Sequence, residues 1–423
     1  MDLPFLTKDV PGIGGVIKQR DEDFFVQEIP LYEPSGEGEH VYCEVQKVGL
    51  TTFDAVHRIG KTLDRSVRDI GYAGLKDAKA ITRQIFSIPL VTPEAVMALK
   101  IPDMTVLWAA RHLNKLRLGH SKGNRFAIKI RNVNPTDVVK LRPMIDVIER
   151  RGMPNYFGEQ RFGRRGNNDL LGAALVAGDN VRLLQLLLGA PDAAIDDSQT
   201  LGARGAFDRR DNETAMRLYP RSHGMERRIL ARLMKTHKPN AAVRGIDQKL
   251  RRLWVSALQS RVFNQTLSTR LEAETMDRVI DGDLAMKHEN GACFSVEDVA
   301  VEQPRVDAFE ISPTGPMVGY RMTLPKGEAL RLEQEVFDEV GVTPESFRNS
   351  NERAKGERRA LRVKPTDIEL NGGVDEHGGY ITVAFSLPSG SYATMFLREL
   401  MKSDESAGRS NEDTATQPSE ESV

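Results

Sequence analysis

The stretch YITVAFSLPSGSYATMFLRELM, residues 380–401, indicates the fold most directly. Its first eight residues alternate apolar and polar side chains, a pattern typical of a strand with one buried face. A loop that contains proline and glycine follows and leads into a short helix. Similar strand patterns occur near the N-terminus. We therefore expect this last segment to complete a sheet that the first part of the chain begins.

The N-terminal part of the chain supplies the other strand patterns. They are GGVIKQRDEDFFVQEI (14–29), predicted as a strand, a polar turn at 19–23 and a second strand, HVYCEVQKV (40–48), predicted as a half-buried strand, and RFAIKIRNV (125–133). Thr51 or Thr52 can cap a first helix. A second helix is predicted over residues 135–152, with a kink at Pro143.

The middle of the chain is helical and basic. One apolar helix is predicted over residues 170–188, and further helices over 246–274 and 328–340. Between them, residues 190–240 form a basic segment punctuated by glycine and proline. A chain of 423 residues is longer than one hydrophobic core usually serves, so we expect two domains. The pattern predicts an α+β fold whose sheet lies at both ends of the chain, with a large insertion between them.

The formal net charge of −1 hides two regions of opposite sign. Residues 403–423 contain six acidic residues, one arginine and very few apolar side chains, so we expect a disordered acidic tail. Residues 201–252 contain fourteen Lys or Arg against five Asp or Glu, a net charge of +9. Such a segment is typical of a protein that binds a polyanion, although a solvated, arginine-rich surface gives the same count.

Missing signals disfavour several other classes of protein. Cys43 and Cys293 lie far apart and in no CxxC pattern, which favours a reducing cytoplasm. The eight histidines show no metal-binding spacing, and we expect no metal. No phosphate-binding glycine loop and no GxSxG motif occurs in the required context. The first ten residues lack a signal-peptide pattern, and no apolar run reaches about 18 residues, so neither secretion nor a membrane span is expected.

One acidic residue stands alone in GYAGLKDAKAITRQIFSI, residues 71–88. Asp77 follows Gly71 and Gly74, which permit a tight turn, and it precedes a strand-like run. A lone carboxylate at such a turn suits nucleophilic catalysis, provided that a cation lies near it. The alternative is a turn aspartate that accepts hydrogen bonds from local backbone N–H groups.

Aromatic and basic residues alternate in PNYFGEQRFGRRGNND, residues 154–169. Phe157 can stack on an unpaired base, and Asn155 offers a donor and an acceptor that suit a uracil or ribose edge. Arginines that can contact phosphates follow at Arg161, Arg164 and Arg165. The alternatives are a core phenylalanine beside a surface loop and an asparagine that closes a turn.

A second basic stretch, RHLNKLRLGHSKGNRFAIKI, begins at Arg111. Residues 111–125 include Arg117 and Lys122 and contain no acidic residue. This composition indicates a second phosphate-binding segment. The alternative is a lysine-rich sheet edge that prevents aggregation.

These stretches together resemble the TruD family of tRNA pseudouridine synthases. The resemblance is carried by DEDFFVQE (21–28), AGLKDAKAITRQ (73–84), RHLNKLRLGHSKGNRF (111–126), NYFGEQRFG (155–163), RVFNQ (261–265), VIDGD (279–283) and LPSGSYATMFLREL (387–400). Several separate motifs in the family's order are far more specific than any one of them. One departure is Ala78, since the family usually has Lys or Arg directly after the KD pair.

The resemblance implies a cofactor-free isomerisation of uridine to pseudouridine in tRNA, with uridine 13 of the D-arm as the usual target. Asp77 aligns with the family's essential aspartate, which attacks C6 of the base or C1′ of the ribose before the glycosidic bond breaks and C5 bonds to C1′. A cation should lie near this carboxylate, and the candidates are Lys18, Lys76 and Arg161. Adjacent residues of an extended chain point to opposite sides, which disfavours Lys76 as the direct partner.

The resemblance also implies the substrate contacts. By motif match Phe24, Asn155 and Tyr392 line the uridine pocket, and Phe157 is a further stacking candidate. Core packing is the alternative for Phe24 and Tyr392. The candidates for contact with the tRNA backbone are Arg117, Lys122, Arg164, Arg165, Arg227 and Arg228.

The family's architecture predicts a pseudouridine-synthase-like mixed-sheet catalytic domain with a large α+β insertion. The predicted bounds are 1–180 and 362–402 for the catalytic domain, 181–361 for the inserted TRUD domain and 403–423 for the acidic tail. We expect a cytoplasmic monomer that binds tRNA in a basic cleft between the domains, with no cofactor, metal or membrane. The alternative from another class is a non-catalytic RNA-binding protein or RNA chaperone that uses the same cleft.

Overall fold

The structure, a computed structural model, describes residues 3–403, so the predicted acidic tail lies outside the described residues except for Ser403. The strands are β1 (Phe24–Pro30), β2 (His40–Val48), β3 (Gly71–Tyr72), β4 (Ile81–Pro89), β5 (Met104–His112), β6 (Ser121–Arg131), β7 (Met153–Pro154), β8 (Leu284–Lys287), β9 (Cys293–Ser295), β10 (Ile311–Met317), β11 (Glu357–Ala360), β12 (Arg362–Val363), β13 (Thr366–Asp375) and β14 (Gly378–Pro388). The helices are α1 (Thr52–Leu63), α2 (Pro93–Met97), α3 (Arg142–Arg151), α4 (Asn168–Ala177), α5 (Asn180–Leu188), α6 (Ser198–Asp208), α7 (Asn212–Leu218), α8 (Gly224–Thr236), α9 (Pro239–Val243), α10 (Gln248–Glu272), α11 (Val299–Asp307), α12 (Gly327–Val340), α13 (Pro344–Asn349) and α14 (Ala393–Met401).

Packing divides the described chain into two compact units. The sheet unit comprises Phe5–Met153 and residues 363–403, and the helical unit comprises Pro154–Arg362 with residues 3 and 4. The chain passes from one unit to the other at β7 and again at β12. The second passage falls beside the predicted bound at 361/362. The first falls earlier than the predicted 180/181, because α4 packs along α10 within the helical unit. The assignment of these units to a catalytic and an inserted domain stays a prediction.

One mixed sheet of eight strands forms the sheet unit, in the order β13-β14-β6-β1-β4-β2-β5, with β3 paired to β4 outside this path. Strands β1 and β4 are parallel, and the other neighbours are antiparallel. Strand β14 pairs with β6 along its length, from Tyr380 opposite Arg131 to Pro388 opposite Gly123. The C-terminal segment therefore completes the sheet, which confirms the predicted α+β class and its mixed sheet.

The first helix shows why the local sequence folds as it does. Thr51 accepts a hydrogen bond from the backbone N–H of Asp54, and the Asp54 carboxylate accepts the Thr51 N–H, both at 3.0 Å. This capping box satisfies two N–H groups that the first helical turn leaves free. Helix α1 then buries Val56 and Ile59 in a core formed with β2 and β4. The predicted cap at Thr51 is confirmed.

A buried arginine fixes the C-terminal hairpin to the rest of the sheet unit. Arg131 on β6 donates to Asp23 at 2.7 Å and to Asp375 at 2.6 Å. These bonds hold the pKa of the Asp375 carboxyl well below its usual range. Near the chain's beginning, Thr7 N donates to the Glu399 carboxylate of α14 at 2.7 Å. The N-terminal segment is thus bonded to α14, whose Phe396 ring packs against Phe385 of β14 with centroids 4.4 Å apart.

The helical unit is built around the 25-residue helix α10. Helix α4 approaches it closely at Gly172, where an added Cβ would lie 2.1 Å from the Trp254 carbonyl oxygen. A four-stranded sheet, in the order β11-β10-β8-β9, belongs to the same unit. The basic segment predicted over residues 190–240 consists largely of helices α6 to α9.

Three local expectations were wrong. Residues 170–188 form two helices instead of one, because Gly178 takes the left-handed backbone angle φ +70° that ends α4. The first strand expected within 14–29 is reduced to a single bridge between Val16 and Arg131. Pro143 lies in the first turn of α3, where a proline needs no hydrogen bond, and so does not kink a longer helix.

Strand β2 is buried on both faces, although its alternating sequence predicted one exposed face. Tyr42 lies in a cluster that Tyr32 and Trp108 cover, and Glu44 accepts a hydrogen bond from the Trp108 indole at 3.1 Å. The second face of β2 is therefore packed as well. Within the described residues, no helix is long and apolar enough to cross a bilayer.

Candidate active site

The loop that carries Asp77 lies where β1 and β3 both pair with β4. Strand β1 pairs with the beginning of β4 at residues 81–83, and β3 pairs with the end of β4 at residues 86–87. Residues 73–80 connect β3 to β4. They carry Asp77, the predicted nucleophile, and we name them the nucleophile loop after this prediction. The loop thus emerges beside the middle of the sheet.

Uncharged hydrogen bonds fix the backbone of the nucleophile loop. The Gln84 side-chain amide donates to the Gly74 carbonyl at 2.6 Å, and its oxygen accepts from the Thr52 hydroxyl at 2.9 Å. The same hydroxyl accepts the backbone N–H of Lys76 at 2.9 Å. Thr52 and Gln84 are both buried, so these bonds are shielded from water. The loop therefore holds a defined shape without using the charge of Asp77.

The carboxylate of Asp77 is open to solvent and paired with Lys18. Lys18 Nζ lies 2.6 Å from Asp77 Oδ2, and the aspartate side chain is 49% exposed. The same ammonium lies 4.5 Å from the centroid of the Phe24 ring, which is buried. Three of the predicted site residues, Lys18, Phe24 and Asp77, therefore lie together.

Lys76 turns away from Asp77 and into the sheet. Its ammonium lies 3.1 Å from the carboxylate of Glu28 on β1, and both side chains are almost completely buried. Burial raises the pKa of the Glu28 carboxyl, and the adjoining ammonium of Lys76 opposes that shift. This buried pair lies under the nucleophile loop and joins it to β1.

Lys47 is a buried cation at this site that the sequence analysis did not single out. Its side chain has no exposed surface, and its ammonium donates to the carbonyl oxygens of Leu50 and, at 3.5 Å, of Asp77. Burial lowers the pKa of Lys47 to about 8, and the negative charge of Asp77 opposes this shift. A signal was present, because Lys47 alternates in phase with the buried Val45 along β2.

The predicted site residues of the helical unit are held rigidly. Asn155 is buried, and its amide donates to the Ala360 carbonyl at 2.9 Å. Arg359 donates to the Asn155 side-chain oxygen at 2.5 Å, and its guanidinium carbon lies 4.2 Å from the Phe157 ring centroid. No motif in the sequence singles out Arg359. Its contacts with two predicted site residues add it to the candidates.

Phe157 is packed into the helical unit instead of standing free. Its ring is buried and meets Phe263 edge to face, with centroids 5.7 Å apart. Asn264 fixes the Phe157 backbone by two hydrogen bonds of 2.9 Å. Arg161 lies 5.4 Å from the same ring and donates to Ser260 at 3.1 Å. A ring held in this way has little conformational freedom to lose on binding.

Tyr392 lies where the chain leaves β14 and enters α14, and its side chain is half-buried. The loop before it contacts the second basic stretch, since Ser389 N donates to the Lys122 carbonyl at 2.9 Å. Lys122 and Arg117 are exposed, as contact with a phosphate would require.

Other candidates for contact with the tRNA backbone are engaged within the helical unit. Arg165 pairs with Asp196. Arg227 donates to the carbonyl oxygens of Met216 and Tyr219, at 2.8 and 2.6 Å, at the end of α7. Arg164 donates to a backbone carbonyl at 3.1 Å but stays exposed, and Arg228 is also exposed. Arg165 and Arg227 therefore have structural roles that any RNA contact would have to share.

The mixed sheet of this chain, completed by the last segment and interrupted by the helical unit, fits a pseudouridine-synthase-like fold. The sequence model of the family tRNA pseudouridine synthase D (TruD) matches residues 1–400. The tRNA pseudouridine synthase D of Geobacter sulfurreducens is 46% identical over 405 residues, which cover 95% of this chain and 97% of that protein. Its counterpart in Anaeromyxobacter dehalogenans strain 2CP-C is 36% identical over 95% of this chain and 97% of its own length.

A solved structure gives the same relationship. The crystal structure of a protein assigned as tRNA pseudouridine synthase D (TruD) from Methanosarcina mazei matches with a TM-score of 0.84 at 30% identity. The match covers 96% of this chain and 99% of that one. The chain therefore belongs to the TruD family of tRNA pseudouridine synthases, as its motifs predicted.

Proposed function

We propose that this protein is a cytoplasmic tRNA pseudouridine synthase, an isomerase that converts uridine 13 of the D-arm to pseudouridine. The observation that carries the proposal is the solvent-open Asp77 carboxylate, paired with Lys18 on a fixed loop, in a chain of this family. The relatives in Geobacter and Anaeromyxobacter bear the name of the same activity.

In the proposed reaction Asp77 is the nucleophile. Its carboxylate bonds to C6 of the base or C1′ of the ribose, and the N1–C1′ bond breaks. The uracil turns within the site, its C5 bonds to C1′, and the carboxylate is released. The proton that leaves C5 is balanced by the proton that N1 carries in pseudouridine. Substrate and product are isomers, so no co-reactant is consumed.

The surroundings of Asp77 support this role. A carboxylate nucleophile must be reachable and negatively charged, and a cation beside it favours the charged form. The carboxylate is half-exposed, and the ammonium of Lys18 adjoins it. The loop backbone is fixed by Gln84 and Thr52, so the attacking oxygen needs little reorganisation. In the proposal Phe24, Asn155, Phe157 and Tyr392 contact the uridine.

The proposed substrate must bring its target base out of the stack. Extrusion costs a few kcal/mol, and stacking on an aromatic side chain returns about 1–3 kcal/mol per base. The exposed cations Arg117 and Lys122 are proposed to bind the phosphates.

The test replaces Asp77 by Asn, which keeps the size of the side chain and removes its charge. We expect pseudouridine formation on an unmodified tRNA transcript to fall by at least about 1,000-fold while tRNA affinity is kept. Asp146→Asn on the exposed side of α3 makes the same chemical change and should keep full activity. Pseudouridine is mapped at single-nucleotide resolution in the transcript. The same mapping is applied to total tRNA from cells with and without the protein.

Two outcomes would contradict different parts of the proposal. Turnover by Asp77→Asn would remove Asp77 as the nucleophile. Pseudouridine at another position, lost with the same variant, would keep the chemistry and overturn the assignment to uridine 13. Tight RNA binding by a wild-type protein that forms no pseudouridine would favour the RNA-chaperone alternative.

A further inference from the structure

Three large apolar residues in or near the nucleophile loop are exposed to solvent. Leu75, two residues before Asp77, is 61% exposed. Phe53, in the first turn of α1, is 40% exposed, and Leu118 is 68% exposed. We name Phe53, Leu75 and Leu118 the apolar rim. Single exposed leucines are ordinary, so the rim needs more than exposure to carry a function.

Two hydrogen bonds bring the segments that carry the rim residues close to each other. Lys76, which follows Leu75, donates its backbone N–H to the side-chain hydroxyl of Thr52, which precedes Phe53. At the other end of the nucleophile loop, Gly119 N, next to Leu118, donates to the Ala73 carbonyl at 2.8 Å. The three exposed side chains therefore belong to segments that are bonded directly to the loop that carries Asp77.

The turn that carries Leu118 is rigid. His120 N donates to the Arg117 carbonyl at 3.1 Å, and Gly119 has the positive φ of +87° that the third position of a type II turn requires. Leu118 occupies the exposed tip of this turn. Before the turn, Leu116 is buried and its N–H donates to the Ser87 hydroxyl at 2.9 Å. Leu118 is thus held in water by a well-anchored backbone.

Folding does not explain an apolar residue at position 75. Gln84 and Thr52 satisfy the neighbouring backbone groups, and the Lys76–Glu28 pair anchors the loop below. Most of the Leu75 side chain contacts water, so it adds little to any core. A polar side chain would serve the loop equally well, which points to a contact made only in a complex.

The chemistry of the neighbouring surface identifies the partner. Residues 111–125, which include the turn of Leu118, carry several cations and no acidic residue. Arg117 directly precedes Leu118 and is exposed. A surface with apolar side chains beside cations suits RNA, which offers flat apolar base faces beside phosphates. Apolar side chains of this size enter base stacks in other proteins and hold them open.

We propose that the apolar rim, with Leu75 foremost, packs against the bases that neighbour the target uridine and fills the gap that the extruded base leaves. This inference rests on the proposed function and adds how the base is kept out of its stack. The rim acts while the target base is extruded, before Asp77 forms a bond to the uridine. Loss of the rim should therefore slow extrusion and leave the nucleophile intact.

The experiment measures extrusion and chemistry separately. A tRNA transcript carries 2-aminopurine beside the target uridine, because its fluorescence rises when the base beside it unstacks. We expect Leu75→Ala to lower the single-turnover rate roughly 10- to 100-fold and to reduce the fluorescence rise. Leu118→Ala should act in the same direction. Both residues are exposed, so the melting temperature should not change.

Two controls make the result specific. Leu90→Ala removes a leucine that is 71% exposed and follows the far end of β4, and it should keep wild-type rates. A second transcript has abasic sites on both sides of the target uridine, so no stack has to be opened. On it Leu75→Ala should fall within about threefold of the wild-type rate.

Each remaining outcome decides between the proposals. If Leu75→Ala matches the wild type in rate and in fluorescence on the stacked transcript, the rim has no such role, while the proposed function stands. An equal loss on both transcripts would also overturn extrusion as the affected step. If Leu75→Ala changes the sedimentation of the protein, the rim is a contact between copies of this chain. Asp77→Asn should keep the fluorescence rise and lose the product, so failure of the proposed chemistry is seen separately.

Discussion

Lys18 Nζ and Asp77 Oδ2 lie 2.6 Å apart, although 59 residues separate them in the sequence. Lys18 adopts the left-handed backbone angle φ +57°, which is uncommon for a residue with a Cβ. Strained backbone of this kind tends to be kept at functional sites. The same ammonium lies 4.5 Å from the centroid of the buried Phe24 ring.

Replacing Lys18 should impair the chemical step more than binding. We expect Lys18→Met to lower kcat by roughly 100-fold, the size of effect seen when one preorganised charged group is removed from an active site. Lys18→Arg keeps the charge and should recover part of the loss. Single-turnover kinetics and tRNA binding are measured in parallel. Lys61→Met, at an exposed position of α1, is the matched control. A rise in KM with unchanged kcat would assign Lys18 to RNA binding instead.

Lys47 should give the activity an alkaline limit. As the pH rises through about 8, the buried ammonium loses its proton, and its bonds to the Leu50 and Asp77 carbonyls weaken. The rate should therefore fall above pH 8. Asp77 and Asp54 favour the protonated form of Lys47, and Lys76 opposes it. In Lys47→Arg the cation stays charged, because the pKa of arginine lies above about 12, and the fall should disappear.

Stability should move the other way over the same pH range. The folded-state pKa of Lys47 lies near 8, below the value of about 10.4 in an unfolded chain, so the unfolded chain binds more protons between these values. The contribution of Lys47 to the free energy of unfolding therefore rises with pH there. Melting temperatures and kcat of the wild type, Lys47→Arg and Lys47→Met are compared from about pH 7 to pH 10. An alkaline fall that persists in Lys47→Arg would contradict this assignment.

Removing only one charge of the buried Glu28–Lys76 pair should strongly lower the free energy of unfolding. Glu28→Gln leaves the ammonium of Lys76 buried without its partner, and we expect a loss of about 3–5 kcal/mol in the free energy of unfolding. The double variant Glu28→Leu, Lys76→Met removes both charges and should lose less. Denaturant unfolding measures both variants. Asp146→Asn in an exposed ion pair should change stability by less than about 1 kcal/mol. A double variant less stable than Glu28→Gln would show that the charges themselves stabilise the sheet.

Charge reversal on the basic helix α8 should weaken RNA binding. We expect Arg228→Glu to raise KM for tRNA several-fold, leave kcat nearly unchanged and reduce the slope of log affinity against log salt by about 1. Arg348→Glu, on α13 of the same unit, is the charge-matched control.

The neighbouring Arg227 should behave differently in this test. Its guanidinium bonds to two carbonyls at the end of α7, so Arg227→Ala should lower the melting temperature. An unchanged salt slope in Arg228→Glu would take α8 off the RNA-binding face.

The sequence predicted those helices and strands whose caps or alternating patterns lie within the element itself. Helix α1 begins at its predicted Thr51 cap, and β14 follows the alternation of residues 380–387. The break at Gly178 was missed although the local sequence marks it, because Gly178 ends α4 and Asp179, which accepts the Arg182 N–H at 2.8 Å, caps α5. The buried second face of β2 was missed because Tyr32 and Trp108, which cover it, come from other segments of the chain.

The sequence predicted individual residues of the site, but it did not predict which cation pairs with which carboxylate. Motifs singled out Asp77 and offered three cations, but distance along the chain does not say that Lys18 meets the carboxylate while Lys76 meets Glu28. These two pairings depend on how the folded nucleophile loop crosses β1. Lys47 could have been found by asking why a charged residue shares the phase of Val41, Cys43 and Val45. Arg359 could not have been found in this way, because its hydrogen bond to Asn155 joins positions 204 residues apart.

The late position of β14 has a consequence for biosynthesis. During translation β1 to β6 leave the ribosome first, and the whole helical unit follows before residues 378–388 emerge. Throughout that interval one side of β6 has no partner strand, and an open strand edge attracts other nascent chains. The sheet that carries Asp77 can therefore be completed only after the helical unit has been synthesised, so products truncated before β14 should be inactive and prone to aggregate.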